Sequence, residues 1–187
     1  MGKRQNAEET YMVSQYRLSG RHAQRSYQLV NWIDTKKTLR LFKRNVDVIK
    51  NAPLVGFLYH RLADVDKTKD PETQKVYDYS VMDSQMIDAH HEMMYNFRLI
   101  MLLDKEYEPD DEKRIDKGLR HFAEDEEDRN RFESYLRGGI DVLYEKLIQG
   151  AEKEEDYLEK MYDFTEDFHG RFNEGINREE VLAKLRK

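Results

Sequence analysis

Apolar residues recur along this chain at the three- and four-residue spacings that are typical of amphipathic helices. The longest such pattern predicts a helix over about Tyr79 to Lys105, and another predicts a helix from Phe132 to Leu147, softly interrupted at Gly138-Gly139. Alternating runs of β-branched residues are nearly absent, so no strand is predicted. The predicted apolar faces are Met82, Met86, Ala89, Met93, Phe97 and Ile100 on the first helix, and Phe132, Leu136, Ile140, Leu143 and Leu147 on the second.

Shorter apolar patterns predict further helices on both sides of these two. Asn51 and Pro53 are expected to end one helix and begin the next, since proline is favoured in a first helical turn. Asn177 and Glu180 form a capping box that predicts a short last helix. The other predicted helices cover about Glu8–Leu18, Arg21–Ile33, Asp34–Lys50, Asp110–Phe122 and Tyr157–Phe172.

The predicted elements define an all-α protein, a multi-helix bundle of six to eight helices that runs up and down in its C-terminal half. A polar loop, residues 66–76, is the expected boundary within the chain because it combines charged residues with Pro71. It would separate a basic N-terminal helical segment, residues 1–65, from an acidic helical bundle, residues 77–187. One continuous domain stays open as the alternative.

Composition narrows the classes of protein that fit. The chain has 187 residues and no cysteine, which excludes disulfides, a thiolate nucleophile and cysteine-ligated metal centres. No apolar run approaches the ~20 residues that cross a bilayer. No apolar segment follows the first basic residues, so a secretory signal is not expected and the protein is predicted to be intracellular.

Charge is distributed unevenly along the chain. Residues 1–50 contain 11 basic and 4 acidic residues, although the whole chain has a net charge of −6. A basic head on an acidic body predicts that the head meets an anionic partner, either nucleic acid phosphate or an acidic protein. Solvated helix faces are the alternative interpretation. If the head is helical, one face of it would carry Arg17, Arg21 and Arg25.

Two acid-x-x-His spacings are the most specific candidates for a metal site. Asp88 with His91 and Glu166 with His169 resemble the spacing that ferritin-like di-iron proteins place on two of their helices. The helical period puts Asp88 and His91 on the side opposite the methionines, away from a bundle core. These residues are therefore weak metal candidates. Because catalytic motifs are also missing, we predict a protein that is not an enzyme and has no cofactor.

Residues 38–44, Thr-Leu-Arg-Leu-Phe-Lys-Arg, resemble the signature of the mitochondrial LYR-motif accessory and assembly proteins. The similarity is local and covers residues 38–49. It implies a non-enzymatic helical subunit or assembly factor of a larger complex that binds the acidic acyl carrier protein in mitochondria. By that resemblance the motif would be Leu41, Phe42 and Lys43. Arg40 and Arg44 would meet acidic groups of the partner.

The leading hypothesis is a non-catalytic α-helical subunit or adaptor of a larger protein assembly that docks through its basic N-terminal segment. One alternative is a nucleic-acid-binding protein with an acidic oligomerisation body, and another is a di-iron ferritin-like metalloprotein. The expected compartment is the mitochondrion if the LYR resemblance holds and the cytoplasm otherwise.

Overall fold

The computed structural model describes residues 16–81 and 83–172, and helix dominates them. Of these described residues 62% are helical, with six helices beside a small two-stranded sheet, which confirms the prediction of a mostly all-α protein. A one-turn π-helix covers Asp116–Arg120. In chain order the elements are β1 Tyr16–Ser19, α1 Gly20–Val30, α2 Asn45–Leu58, β2 Asp78–Val81, α3 Asp83–Leu103, α4 Asp111–Ile115, the π-helix, α5 Glu126–Leu147 and α6 Glu154–Phe172.

Two compact units divide the chain, residues 1–145 and residues 146–187. The polar loop 66–76 lies inside the first unit. The division between the two units falls later in the chain than the boundary that composition indicated. In the second unit, α6 leaves Leu158, Met161 and Tyr162 exposed. The short helix predicted from Asn177 and Glu180 lies outside the described residues.

The core of the first unit is built from the two long apolar faces that the sequence predicts. Met82 lies outside the described residues, and every other residue of the two faces is buried. Phe97 of α3 contacts both Phe122 and Phe132, with ring centroids 4.9 and 5.3 Å away. Burial of aromatic side chains of this size makes a large contribution to stability, so α3 and α5 form the framework on which the rest of the unit is arranged.

α2 crosses α5 so closely that only glycine fits at the contact. A Cβ on Gly139 would overlap the carbonyl oxygen of Ala52, and a Cβ on Gly56 would overlap that of Tyr135. α5 runs unbroken from Glu126 to Leu147, so the predicted interruption at Gly138-Gly139 is wrong. These glycines allow the two backbones to approach.

The small sheet was not predicted from sequence. β1 pairs antiparallel with β2, with Tyr16 opposite Val81 and Ser19 opposite Asp78. The predicted helix over Glu8–Leu18 is therefore wrong for residues 16–18, and its earlier part lies outside the described residues. Four residues are too few to show an alternating pattern, and their partners lie about sixty positions away in the chain.

The helix expected over Asp34–Lys50 begins only at Asn45, and residues 31–44 form an irregular connection. The helix then continues through Pro53 to Leu58, so Pro53 does not begin a new helix. Proline removes one hydrogen bond within a helix. Here Pro53 is buried together with Ala52 and Gly56, and that tertiary packing outweighs the local cost.

Asp110 caps α4, because its side chain accepts hydrogen bonds from the backbone N–H groups of Glu112 and Lys113. The α-helical geometry ends at Ile115, earlier than the predicted Phe122, and the chain continues as the π-helix. Gly118 lies against Leu102 and the carbonyl oxygen of Arg98, so the wider turn brings the backbone close to α3.

Candidate functional site

The connection between α1 and α2, residues 31–44, is called the docking loop here. Its shape is fixed by Asp34, whose carboxylate accepts hydrogen bonds from the N–H of Thr38 at 2.8 Å and of Leu39 at 2.7 Å. The Thr38 hydroxyl donates to the same carboxylate at 2.7 Å. The hydrogen bonds from Thr38 and Leu39 lower the pKa of Asp34, so this carboxyl stays ionised. A local turn of this kind competes with helix formation, which explains why α2 begins late.

The two ends of the docking loop are also tied to the body of the unit. The N–H of Ile33 donates to the carbonyl of Leu39 at 2.9 Å, and the N–H of Phe42 donates to the carbonyl of Leu29 at 3.3 Å. Leu41 and Phe42 are half-buried. The loop is therefore a defined structure although it contains no helix or strand.

Replacing Asp34 with alanine is expected to loosen the docking loop without unfolding the protein. The N–H groups of Thr38 and Leu39 would lose their shared acceptor, and we expect their hydrogen exchange to accelerate by roughly tenfold. Amide exchange resolved by NMR measures this change. Exchange in α3 and α5 is the control, since it should not change. Unaltered protection at Thr38 and Leu39 would show that Asp34 does not hold the loop.

Basic residues are concentrated on the docking loop. Five of the nine residues from Lys36 to Arg44 are basic and none is acidic. Arg44 forms an ion pair with Asp47, with 3.1 Å between Nη2 and Oδ1. Within the described part of the chain, no ion pair is formed by Lys36, Lys37, Arg40 or Lys43. The loop therefore presents positive charge that its own surroundings do not neutralise.

The one aromatic side chain on the exposed part of the loop is held by an arginine. The guanidinium carbon of Arg40 lies 4.4 Å from the ring centroid of Trp32, which is a cation–π contact. Trp32 remains 42% exposed. The contact orients both side chains, so the loop offers a flat aromatic surface beside its cations.

The arginines predicted to share one helix face have different surroundings. Arg17 lies in β1 rather than on a helix, and its Nε is 3.7 Å from Asp78, where both side chains are exposed. Arg21 and Arg25 lie on α1 as predicted, but both pair with Asp141 of α5. The predicted stripe Arg17–Arg21–Arg25 is therefore not a single face, and two of its members contribute to contacts within the protein.

Asp141 is the centre of a buried charged cluster, and only 3% of its side chain is exposed. Arg25 Nη1 lies 2.6 Å from Oδ1, and Arg21 Nη2 lies 3.2 Å from Oδ2. His22 Nε2 is 3.4 Å from Oδ1, in electrostatic contact but without good hydrogen-bond geometry. Burial raises the pKa of Asp141, but His22 and Arg25 outweigh it and the pKa falls to about 2.

Two further buried carboxylates join α5 to the segments before it. Asp104 accepts hydrogen bonds from the Tyr135 hydroxyl and from Arg131 Nε, both at 2.8 Å. Asp128 accepts from the Tyr107 hydroxyl and from Lys117 Nζ, both at 2.6 Å. Burial and the neighbouring carboxylates raise the pKa of both tyrosines, so each remains a proton donor at neutral pH. Both networks pair charges and stabilise the fold.

The four candidate metal ligands are exposed. Asp88 and His91 lie on the outer side of α3, and Glu166 and His169 are exposed on α6. Across residues 16–81 and 83–172, no group of three or more histidine and acidic side chains is arranged to hold a metal ion. His91 instead lines a groove with Lys50 and Glu92, which form an ion pair at 2.6 Å.

Sequence reasoning missed Asp141 although a signal was present. The residue is a single acid between the apolar residues Ile140 and Val142 of α5. An acidic residue in such a position is rarely buried unless it has a partner. Its basic partners lie 116 and 120 positions away in the chain, so no local pattern connects them.

The fold and its charged loop define a class, helical proteins with an exposed basic loop, without indicating a family. No protein-family model, no curated protein and no solved structure is significantly similar to this chain. None of the helices in the described ranges has the length and apolar character needed to cross a membrane.

Proposed function

We propose that this protein is a non-catalytic subunit or adaptor that docks on an anionic partner through the docking loop. The observation that carries the proposal is the run from Lys36 to Lys43, in which four cations share a loop of defined shape and form no ion pair with the described residues. A surface that is ordered before binding loses less conformational entropy when the partner arrives. Concentrated charge also accelerates encounter with an oppositely charged partner.

The contrast with the other arginines supports this choice of surface. Arg21 and Arg25 are held by the buried Asp141, and Arg44 is held by Asp47. The only acidic residue in the docking loop, Asp34, is occupied by Thr38 and Leu39. The docking loop is thus organised so that its internal carboxylate maintains the shape while its cations face outward.

Reversing the charge of Lys36, Lys37 and Lys43 to glutamate is expected to release the partner. Three reversals on one loop replace attraction by repulsion, and we expect retention of the partner to fall by at least about tenfold. The measurement is quantitative affinity purification of the tagged full chain from its native source, with the retained proteins and nucleic acids identified.

A matched control is available in the loop 66–76. Lys67, Lys69 and Lys75 are exposed, form no ion pair with the described residues, and give the same change in net charge when reversed to glutamate. We expect the control variant to retain the partner. If the docking-loop variant keeps the same partners in the same amounts as the wild type, the proposed function is wrong.

A further inference from the structure

We propose that the docking loop binds single-stranded nucleic acid, with phosphates held by its lysines and a base stacked on Trp32. This inference rests on the proposed function, because it uses the same loop, and it adds the chemical class of the partner. Three observations carry it: the kind of cation, the exposed indole and the irregular backbone.

The docking-loop cations that form no ion pair with the described residues are mostly lysines. Lys36, Lys37 and Lys43 are exposed, and Arg40 is the only arginine among the four. Lysine is depleted at interfaces between proteins, where arginine is enriched. The lysine ammonium is a compact, strongly hydrated charge, and it binds phosphate as a point charge. This composition favours a phosphate-bearing partner over an acidic protein.

The indole supplies the second part of the site. Trp32 is the only tryptophan in the chain, and 42% of it is exposed although the protein has a well-filled aromatic core. Arg40 lies over its ring and fixes its orientation. Proteins that bind single strands combine a positively charged surface with aromatic side chains on which bases stack. An unpaired base offers the face that such an indole requires, whereas a paired base in a duplex does not.

The shape of the loop favours a single strand over two other anionic partners, a nucleic acid duplex and a membrane surface. A duplex is usually read by a helix placed in the major groove, and residues 31–44 contain no helix. A membrane surface is planar and extends beyond the loop, so it would also face acidic parts of a chain whose net charge is −6. A single strand is narrow enough to be held by the loop alone, and charges farther than about 8 Å from it are largely screened at physiological salt.

The inference is tested with labelled oligonucleotides of about 12 thymidine or uridine residues and the full chain, measured by fluorescence anisotropy at ~50 mM salt. Binding is expected to weaken by roughly twentyfold to fiftyfold between 50 and 200 mM salt, as three or four phosphate contacts with a single strand predict. Because Trp32 is the sole tryptophan, its intrinsic fluorescence reports the loop directly and is expected to be quenched on binding.

Variants separate stacking from charge. Trp32→Ala is expected to weaken binding by about fivefold to a hundredfold, which corresponds to the loss of one stacked base. Changing Lys36, Lys37 and Lys43 to glutamine should weaken binding and flatten its salt dependence, whereas the same change at Lys67, Lys69 and Lys75 should do neither. Thermal unfolding followed by circular dichroism verifies that each variant is folded, and Trp32→Phe is expected to retain part of the stacking.

Three results would overturn the inference. The first is no anisotropy change up to about 100 μM protein at ~50 mM salt, where even non-specific binding is visible. The second is binding that neither quenches Trp32 nor responds to the loop variants. The third is binding of polyglutamate, but not of the oligonucleotides, with sensitivity to the same lysines. That third result would leave the proposed function intact, whereas retention of every partner by the charge-reversed loop would remove the proposed function itself.

Discussion

Alanine at Gly139 is expected to destabilise the first unit by about 3 kcal/mol, at the upper end of the cost of overpacking a core. The added methyl group would overlap the carbonyl oxygen of Ala52, and it would also come close to the N–H of Gly56. Both obstacles are backbone atoms, so no side chain can rotate away. α2 and α5 would have to separate, which would also loosen the packing around Tyr135.

Chemical denaturation of the wild type and the Gly139→Ala variant measures this cost. Gly170→Ala is the matched control, because Gly170 lies within α6 and a Cβ there would meet nothing within 4 Å. At that position we expect no loss of stability, because alanine has a higher helix propensity than glycine. A Gly139→Ala variant within about 0.5 kcal/mol of the wild type would show that the helices do not approach as described.

The same close approach couples the effects on stability of substitutions at Gly56 and Gly139. Gly56 and Gly139 face each other across one crossing, and a single displacement of α2 would accommodate a methyl group at either position. Substitutions that share one structural response are not additive. The double variant is therefore expected to lose less stability than the sum of the two single variants.

The elements that sequence predicted well are those whose burial is periodic over many turns. The faces of α3 and α5 repeat at helical spacing over about twenty residues each, and that pattern depends only on which side of a helix meets the core. The same pattern does not show how closely two helices approach. Gly138-Gly139 was interpreted by its weak helix propensity, whereas its role depends on Ala52 and Arg61, residues far away in the chain.

In the docking loop, by contrast, helical spacing predicted a structure that the residues do not adopt. Leu39, Phe42, Val46 and Ile49 have helical spacing, and that spacing predicted a helix over Asp34–Lys50, of which residues 34–44 are not helical. The Asp34 side chain determines the outcome by holding the N–H groups of Thr38 and Leu39 in a turn. A short apolar pattern is weak evidence for a helix when a capping residue at its start can also form a local turn. The position of the basic cluster was nevertheless visible in the charge distribution.

The structure was needed to show which basic residues of the head form ion pairs within the protein. Arg21 and Arg25 were grouped with the loop cations because all of them lie in the basic head. Spacing shows that both arginines lie on one side of α1, but it does not show that α5 supplies an acid on that side. The sequence around each arginine does not identify its distant acidic partner. The one local signal is that Asp141 is an isolated acid among apolar residues.

Asparagine at Asp141 is expected to destabilise the first unit by about 3 kcal/mol at neutral pH, since it removes one partner of a buried charged group. Arg25 would lose its 2.6 Å contact with a carboxylate, and His22 would lose the nearby negative charge. Arg21 retains Asp66, whose Oδ2 lies 3.5 Å from Nη1, and both arginines are partly exposed, so the loss stays at the lower end of the usual range. Asp88→Asn, at an exposed position on α3, is the control and should change stability by less than about 0.5 kcal/mol.

The pH dependence of this loss gives the sharper test, because it follows from the pKa of one carboxyl. The folded protein lowers the pKa of Asp141 from its ordinary 3.8 to about 2. A carboxyl with a depressed folded-state pKa contributes stability that is complete above the unfolded value and disappears as the pH falls through the folded value. The difference between wild type and Asp141→Asn should therefore be largest above about pH 4 and shrink by about 2 kcal/mol toward pH 2. Urea denaturation of both proteins at neutral, mildly acidic and strongly acidic pH measures that difference. A value that stays constant across this window would mean that the ionised form of Asp141 is not what holds α1 against α5.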